Sequence, residues 1–360
     1  MTTTTVRTAV RANAVRAAAP TVPAPAPTAV LDWRTAPGKP ATAEAPAFAG
    51  IDEACAWLQE RLPELTGALH VHGALYLRGL PVRTVEDFAR VRDVLVPERT
   101  PYREKATPRS SFGDDVFSST DLPPSQSIRM HNENSYTLTF PRALLFGCLT
   151  APAEQGATPV ADVRKVLANV PPALAEKMRE HGWLLQRSYS EYISTDWKTA
   201  FATEDPADVE RYCAENRIAL DWQEDGNLRT SQVRPGTIRH PDTGEEVWFN
   251  HLVFWNEWAL DEELRETLVD EFGREGLPFN TAFGDGTPLS REDLDALQEA
   301  YDKATVRERW QVGDVMLVDN ILTSHGRDPF RGDRKIVVAM GNPADVEDCH
   351  PSVRPAARFA

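Results

Sequence analysis

Short β-strand patterns run through most of this 360-residue chain, and they constrain its fold more than any other feature. Strand patterns lie at 143–149, 183–189, 246–249, 315–319 and 335–340. Helix patterns gather near the start and in insertions instead of alternating with the strands, as a parallel α/β sheet would require. We therefore expect an α+β fold that is mainly β, with a β-sandwich or a double-stranded β-helix (jelly roll) as its core and with flanking and inserted helices.

Composition divides the chain into a globular part and two tails. Residues 1–45 are rich in Ala, Thr and Pro and carry no acidic residue before Asp32. We expect this stretch to be disordered, although its early arginines superficially resemble a transit peptide. Residues 46–345 are predicted to form a single domain with a helical insert at about 257–303, and residues 346–360 a C-terminal tail.

Charge and hydropathy exclude several classes of partner. With 54 acidic and 39 basic residues, the net charge is −15, so a general partnership with nucleic acid or an anionic membrane is not expected. No apolar run reaches the roughly eighteen residues of a membrane span. Four scattered cysteines show neither disulfide nor metal spacing, which fits a cytoplasmic protein. The oligomeric state stays open.

A metal site is indicated by His131-x-Glu133, followed far downstream by His325. Side chains two apart on an extended strand point to the same side, so the pair can offer an imidazole and a carboxylate to one ion. Two imidazoles and one carboxylate leave three corners of an octahedron open, an arrangement that suits non-haem Fe(II) and O₂. The same ligands also suit Zn²⁺.

Spacing alone does not establish this site, because composition produces about one His-x-acid pair in such a chain. A second pair, His240-x-Asp242, is indeed present. It lies in His-Pro-Asp-Thr-Gly, whose residues favour a turn, and we interpret it as one. The surroundings of the first pair must therefore decide its role.

Two further positions could hold a small dicarboxylate beside the metal. Thr158 lies in a turn ahead of a helix start, and Arg334 begins an apolar strand nine residues after His325. A guanidinium can grip a carboxylate with two hydrogen bonds, and a nearby hydroxyl can complete the clamp. Alternatively, Thr158 only stabilises its own turn, and Arg334 is a solvated charge at a sheet edge.

In combination, these segments resemble the TauD/TfdA family of Fe(II)/2-oxoglutarate-dependent dioxygenases. Within that family the chain is most similar to the clavaminate synthase-like and SyrP-like members of bacterial secondary metabolism. The similarity runs from about residue 70 to 342 and rests on the segments Gly73–Gly79, His131–Tyr136, Gly156–Asp162, Asp319–Phe330 and Gly332–Arg334. One departure is Gln155, where relatives usually carry a second Gly.

The resemblance implies a set of roles for named residues. The implied iron ligands are His131, Glu133 and His325. Thr158 would bond a carboxylate of 2-oxoglutarate and Arg334 would pair with its distal end, with Arg327 as the alternative for that last role. The implied reaction uses Fe(II), 2-oxoglutarate and O₂ to hydroxylate or desaturate an unactivated C–H bond, releasing succinate and CO₂. An acidic residue at position 133 argues against halogenation, because halogenating relatives have a small residue there.

The substrate is implied only by class: a small amino-acid-like molecule, free or carried by a protein, in a pathway such as antibiotic biosynthesis. Candidate pocket residues flank the ligand segments or end a strand; they are Arg109, Ser135, Tyr136 and Asn250. A lid around Trp255 and Trp258 is possible, although paired tryptophans more often belong to a core.

Two alternatives from other classes stay open. The same three ligands could serve a zinc hydrolase or lyase, and the chain could be a non-catalytic jelly-roll binding protein. A dicarboxylate clamp favours the oxygenase over the zinc enzyme, since hydrolysis has no need of one.

Overall fold

The computed structural model of the protein describes residues 31–100, 109–119 and 121–359. The predicted disorder of residues 1–30 lies outside these ranges. Within them the α-helices are α1 (Ile51–Glu60), α2 (Leu62–His72), α3 (Val85–Leu95), α4 (Val163–Asn169), α5 (Pro172–His181), α6 (Trp197–Phe201), α7 (Pro206–Glu215), α8 (Glu262–Phe272) and α9 (Arg291–Ala304).

Capping side chains set several helix starts that the sequence predicts. The Thr84 hydroxyl accepts a hydrogen bond from the backbone N–H of Asp87, whose carboxylate accepts one from the backbone N–H of Thr84, and α3 begins there. Asp162 and Ser290 cap α4 and α9. Such caps typically contribute about 1 kcal/mol each.

The strands are short, as predicted, and they are distributed along the described part of the chain. They are β1 (Ala41–Glu44), β2 (Ala74–Arg78), β3 (Phe117–Ser118), β4 (Ile128–His131), β5 (Thr139–Thr150), β6 (Glu154–Gln155), β7 (Val160–Asp162), β8 (Trp183–Tyr189), β9 (Ala219–Trp222), β10 (Leu228–Arg234), β11 (Thr237–Arg239), β12 (Glu246–Trp248), β13 (Phe279–Phe283), β14 (Thr305–Val306), β15 (Val315–Asp319), β16 (Thr323–Arg327), β17 (Phe330–Arg331), β18 (Lys335–Asp345) and β19 (Ala356–Ala357).

Two sheets form the part of the fold that carries the candidate site. One has the order β1-β2-β15-β5-β18-β3 and the other the order β14-β7-β16-β4. Apolar side chains from both pack into one buried cluster, with Phe146, Met316 and Val338 from the six-stranded sheet and Val160 from the four-stranded sheet. Burying each such side chain contributes about 1.5–3 kcal/mol, which holds the two sheets against each other.

A third sheet has the order β13-β8-β10-β19, with β9 paired to β10. The expected helical insert at 257–303 differs from the structure, because it contains β13 between α8 and α9. Its residues Phe-Asn-Thr-Ala-Phe suit a strand, and β13 completes its hydrogen bonds against β8.

Both ends of the described chain reach further into the sheets than predicted. Residues 41–44, expected in the tail, pair with β2 as β1, and residues 356–357 pair with β10 as β19. Backbone pairing explains both differences, since composition does not reveal which extended segment finds a free sheet edge. The described residues from Asp32 onward make up one compact unit of mixed helix and sheet with a sheet-rich core. None of its helices has the length and apolar character needed to span a bilayer.

Candidate active site

His131 and His325, 194 positions apart in the sequence, are direct neighbours on paired strands. The antiparallel register of β4 and β16 places them opposite each other, and their ring centroids are 4.4 Å apart. The register then shifts between His325 and Arg327, a bulge of the kind that re-aims side chains beside active sites. Gly326 lies at this shift, where a Cβ atom would come within 2.6 Å of the Ile128 carbonyl oxygen.

Glu133 is positioned by a clamp on its backbone. It lies in the turn after β4. The expectation that His131 and Glu133 point to the same side because both lie on one strand is therefore wrong for Glu133. Asn320 Oδ1 accepts a 2.7 Å hydrogen bond from the backbone N–H of Glu133, and Asn320 Nδ2 donates to its carbonyl oxygen at 2.9 Å. Asn134 follows with φ of 54°, which reverses the chain in the left-handed region.

The three side chains offer ligand atoms that all lie within 4.8 Å of one another, and all three residues are buried. His131 Nδ1 lies 2.9 Å from the Arg129 carbonyl oxygen, which can only accept, so Nδ1 carries the proton and Nε2 has the free lone pair. Burial lowers the pKa of His131 and lowers that of His325 well below its ordinary value. Both imidazoles are therefore in the neutral form that binds metals, and the donor set fits a divalent transition-metal ion.

Arg109 contacts the carboxylate of this cluster. Its Nη2 donates to Glu133 Oε2 at 2.7 Å, and the two side chains are only 5% and 7% exposed. A buried charge-assisted hydrogen bond of this kind orients the carboxylate. The structure thus brings this predicted pocket residue to the candidate metal centre itself.

Thr158 lies on the loop that leads into β7, two residues before Val160, which pairs with His325. Gln155 and Gly156 both have left-handed φ, 56° and 69°, so the Gln that departs from the family pattern still adopts a conformation that favours Gly. Thr158 is buried, and its Oγ1 accepts hydrogen bonds from other side chains instead of only bracing its own turn.

Arg334 joins Thr158, as predicted for a clamp. Its Nη2 donates to Thr158 Oγ1 at 3.2 Å, its Nη1 to Ser119 Oγ at 3.0 Å and its Nε to the Gly156 carbonyl oxygen at 3.0 Å. Burial lowers its pKa to about 10, and no carboxylate of the described residues pairs with it. Arg327, by contrast, donates to three backbone carbonyls of the segment 122–126.

The other predicted pocket residues divide into two groups. Ser135 Oγ lies 2.6 Å from His251 Nδ1, and the Tyr136 ring lies 5.3 Å from the His251 ring. The side chain of Asn250 instead donates to the Gly236 carbonyl and accepts from the backbone N–H of Leu252, so it stabilises its own loop.

The sequence analysis did not identify two residues of the site, His251 and Asn320. The His251 ring lies 5.3 Å from that of His131 and stacks on Trp255 at 4.4 Å. His251 contacts the site through its side chain, so no motif or residue spacing in the sequence could have identified it. Trp255 lies in a turn and Trp258 in a short 3₁₀ helix, and both are packed in place, the Trp258 indole donating to the Leu289 carbonyl.

A second group with metal-ligand atoms near one another is His70, His240 and Asp242. His240 Nε2 lies 3.0 Å from Asp319 Oδ2, and its Nδ1 accepts from the backbone N–H groups of Asp242 and Thr243. Since both ring nitrogens are occupied, this group does not suit a metal, and the predicted turn at 240–244 is confirmed.

Comparisons with known proteins identify the family of this chain. The family model "Taurine catabolism dioxygenase TauD, TfdA family" matches residues 36–340. The chain is 35% identical to dapdiamide synthesis protein DdaC of Enterobacter agglomerans, over 75% of this chain and 82% of that protein. It is 29% identical to the clavaminate synthase-like protein At3g21360 of Arabidopsis thaliana, over 77% of this chain and 83% of that protein.

A solved structure shares the fold. The taurine dioxygenase of Burkholderia xenovorans is similar with a TM-score of 0.50 and 14% identity, covering 92% of this chain and 97% of that one. Together with the family match over most of the chain, this shows that the protein belongs to the TauD/TfdA family and is an Fe(II)- and 2-oxoglutarate-dependent dioxygenase.

Proposed function

We propose that the protein hydroxylates or desaturates an unactivated C–H bond of a small amino-acid-like substrate in a biosynthetic pathway. In the hydroxylation, one atom of O₂ enters the substrate and the other enters the succinate formed from 2-oxoglutarate, with loss of CO₂. The biosynthetic setting is supported by the relative from dapdiamide synthesis. One observation carries the proposal: two buried histidines on paired strands and a buried glutamate in the adjoining turn converge, while an arginine that lacks a carboxylate partner among the described residues contacts Thr158, two residues before the strand partner of His325.

The proposed ligands are His131, Glu133 and His325, which would hold Fe(II) and leave coordination positions open for 2-oxoglutarate and O₂. The iron supplies the oxidation of the C–H bond when it is bound. The chain itself keeps His131 in the required tautomer and fixes Glu133 between Asn320 and Arg109. These contacts hold the donor atoms in place before the metal arrives.

Arg334 and Thr158 are proposed to bind the distal carboxylate of 2-oxoglutarate. A planar guanidinium that already donates to the threonine hydroxyl can add a carboxylate with two parallel hydrogen bonds. Arg327 is less suited, because its guanidinium anchors the backbone of the preceding loop.

Arg109 and Ser135 stay candidates for substrate contact, since each touches a group beside the proposed iron. Tyr136 is a weaker candidate through its packing on His251, and Asn250 is the least supported.

We further propose that the core is a double-stranded β-helix within a single domain. The facing six-stranded and four-stranded sheets, with His131 on β4 and His325 on β16, support this architecture. A cytoplasmic location is proposed from the four cysteines, which are all free thiols.

Anaerobic spectroscopy tests the metal and co-substrate together. Fe(II) and 2-oxoglutarate added to the protein should produce a weak visible band near roughly 500–530 nm, which is the expectation for chelation at an open facial site. His131→Ala and Glu133→Ala should abolish the band in a folded protein. His70→Gln, which alters the second histidine cluster, should keep it.

Turnover is then measured as succinate release with a library of amino acids and their derivatives. A well-folded protein without the visible band, or full activity in Glu133→Ala, would contradict the proposal. A band with no substrate-dependent succinate from any compound would support a binding role instead.

A further inference from the structure

A cavity of about 270 Å³ adjoins the proposed metal centre, and Arg129 is the only charged residue among the described residues that line it. The rest of the wall is mainly apolar and aromatic, including Phe254, Trp255, Leu260 and Phe279. This volume is near the low end of the roughly 300–1,000 Å³ of small-molecule pockets. The cavity therefore suits a small metabolite.

Two contacts connect this cavity to the metal centre. The ring of Phe254, which forms part of the wall, lies 4.8 Å from the ring of His131. The carbonyl oxygen of Arg129 accepts the hydrogen bond from His131 Nδ1. The three proposed ligands are not among the residues that line the cavity, so a molecule bound there would have to extend past the Phe254 ring to place a C–H bond at the proposed iron.

The Arg129 guanidinium is not neutralised by the protein around it. Nη1 donates to Gln298 Oε1 at 2.9 Å and Nη2 to the Ala259 carbonyl at 3.0 Å, and no carboxylate of the described residues pairs with it. Burial lowers the pKa of Arg129, the charge of Arg291 lowers it further, and the charge of Asp302 partly opposes both. Arginine stays protonated, and two hydrogen bonds leave donors of its five N–H groups for a ligand.

These contacts hold the guanidinium in place without satisfying its charge. Gln298 and Ala259 belong to α9 and to the 3₁₀ segment before α8, so Arg129 is braced from two sides. A cation held rigidly in an apolar cavity favours an anion that brings its own apolar part.

We infer that the cavity is the substrate site and that Arg129 recognises a carboxylate of the substrate, whose apolar or planar part packs on Phe254 and Trp255. This rests on the proposed function, because it identifies the cavity by its position next to the proposed iron. The anion is distinct from 2-oxoglutarate, whose distal carboxylate is assigned to Arg334. The substrate class is thus a small carboxylic acid, and its amide or ester should bind more weakly.

The test compares matched acids and amides. Calorimetry on the anaerobic Fe(II)- and 2-oxoglutarate-loaded protein measures the binding of N-acetyl amino acids with apolar side chains and of their carboxamides. The variants are Arg129→Gln, which removes the charge, and Arg129→Lys, which keeps it without the planar fork. Arg291→Gln is the matched control, because this neighbouring arginine pairs with Asp295 outside the cavity.

The wild-type protein should bind the acids at least tenfold more tightly than the amides. Arg129→Gln should weaken acid binding by roughly ten- to a hundredfold and abolish the preference, while amide binding changes little. Arg129→Lys should retain part of the preference, and Arg291→Gln should behave as wild type. A panel in which no acid binds better than its amide, or loss of the preference in Arg291→Gln, would overturn the inference.

Failure of the proposed function would look different. In that case the visible band of the iron complex is missing from the wild-type protein, whereas the preference for acids can still be measured on the metal-free protein. Arg129→Gln should keep the band and its affinity for 2-oxoglutarate. If Arg129→Gln lost the band and the affinity for 2-oxoglutarate together with the preference for acids, Arg129 would be assigned to the co-substrate and the inference would be overturned.

Discussion

Replacing Arg334 with Met should greatly weaken 2-oxoglutarate binding and leave the ligand-free protein almost as stable as before. The guanidinium is partly buried without a described carboxylate partner, and burial lowers its pKa to about 10 from an ordinary 12.5. That difference corresponds to at most about 3 kcal/mol of unfavourable free energy, reduced by solvent screening of a side chain that is not fully buried. Three hydrogen bonds of about 1 kcal/mol each oppose it, so the two contributions nearly cancel.

The effect on the co-substrate is much larger. Charge-assisted hydrogen bonds contribute about 1.5–3 kcal/mol, so losing a carboxylate grip should weaken binding by roughly a hundredfold. At a concentration one hundred times the wild-type Kd, 2-oxoglutarate stabilises the wild-type protein by about 2.7 kcal/mol. At the same concentration it should stabilise Arg334→Met by only about 0.4 kcal/mol.

Urea unfolding under anaerobic conditions, with Fe(II) and with or without 2-oxoglutarate, measures both quantities on the same samples. Arg331→Met is the control, since its side chain is 83% exposed and pairs only with the exposed Glu154. A variant at position 334 that keeps the full ligand-induced stabilisation would refute the assignment of the clamp. A ligand-free variant destabilised by several kcal/mol would show that the burial cost is overstated.

Two further predictions concern the support of the site, and a third concerns the stability of the fold. Asn320→Ala should weaken iron binding by roughly ten- to a hundredfold in a titration, since it frees the backbone of Glu133. Gly326→Ala should impair iron binding as well, because its Cβ would displace Ile128 on β4; unchanged binding would show that the bulge is not required. Burial raises the pKa of Asp314 to about 6 from 3.8, so the folded state keeps its proton while the unfolded state releases it. Raising the pH from about 4 to about 7 should therefore lower the unfolding free energy of the wild-type protein by up to about 3 kcal/mol through this group. Asp314→Asn lacks this loss, so its unfolding free energy in urea should rise relative to wild type by the same amount between these two pH values.

Local patterns predict local structure well in this chain. The strand expected at 183–189 is β8, the strand expected at 315–319 is β15, and the capping pattern at Thr84 starts α3. In each case the information lies within a few neighbouring residues. The insert differs because β13 depends on a partner strand almost a hundred residues earlier.

The site follows the same division. The sequence could predict the three proposed iron ligands, His131, Glu133 and His325, because each lies in a segment that resembles a motif of the TauD/TfdA family. Asn320 and His251 could not, since their roles arise from buried contacts with residues 187 and 116 positions away. The orientation of Glu133 was also misjudged, because a turn clamped by a distant amide side chain replaces simple strand alternation.

Three arginines have been assigned to the proposed active site, and their partners differ in a way that fits two anionic ligands. Arg109 is neutralised by Glu133, whereas Arg334 and Arg129 have no carboxylate partner among the described residues. The protein has a net charge of −15, so acidic side chains outnumber basic ones. The lack of a carboxylate partner for these two partly buried arginines is therefore not a consequence of composition. Their unfavourable burial in the free protein is relieved only when anions bind, so each site gains affinity and rejects neutral analogues. One unpaired cation suits the distal carboxylate of 2-oxoglutarate, and the second is then explained by a substrate that is itself an acid.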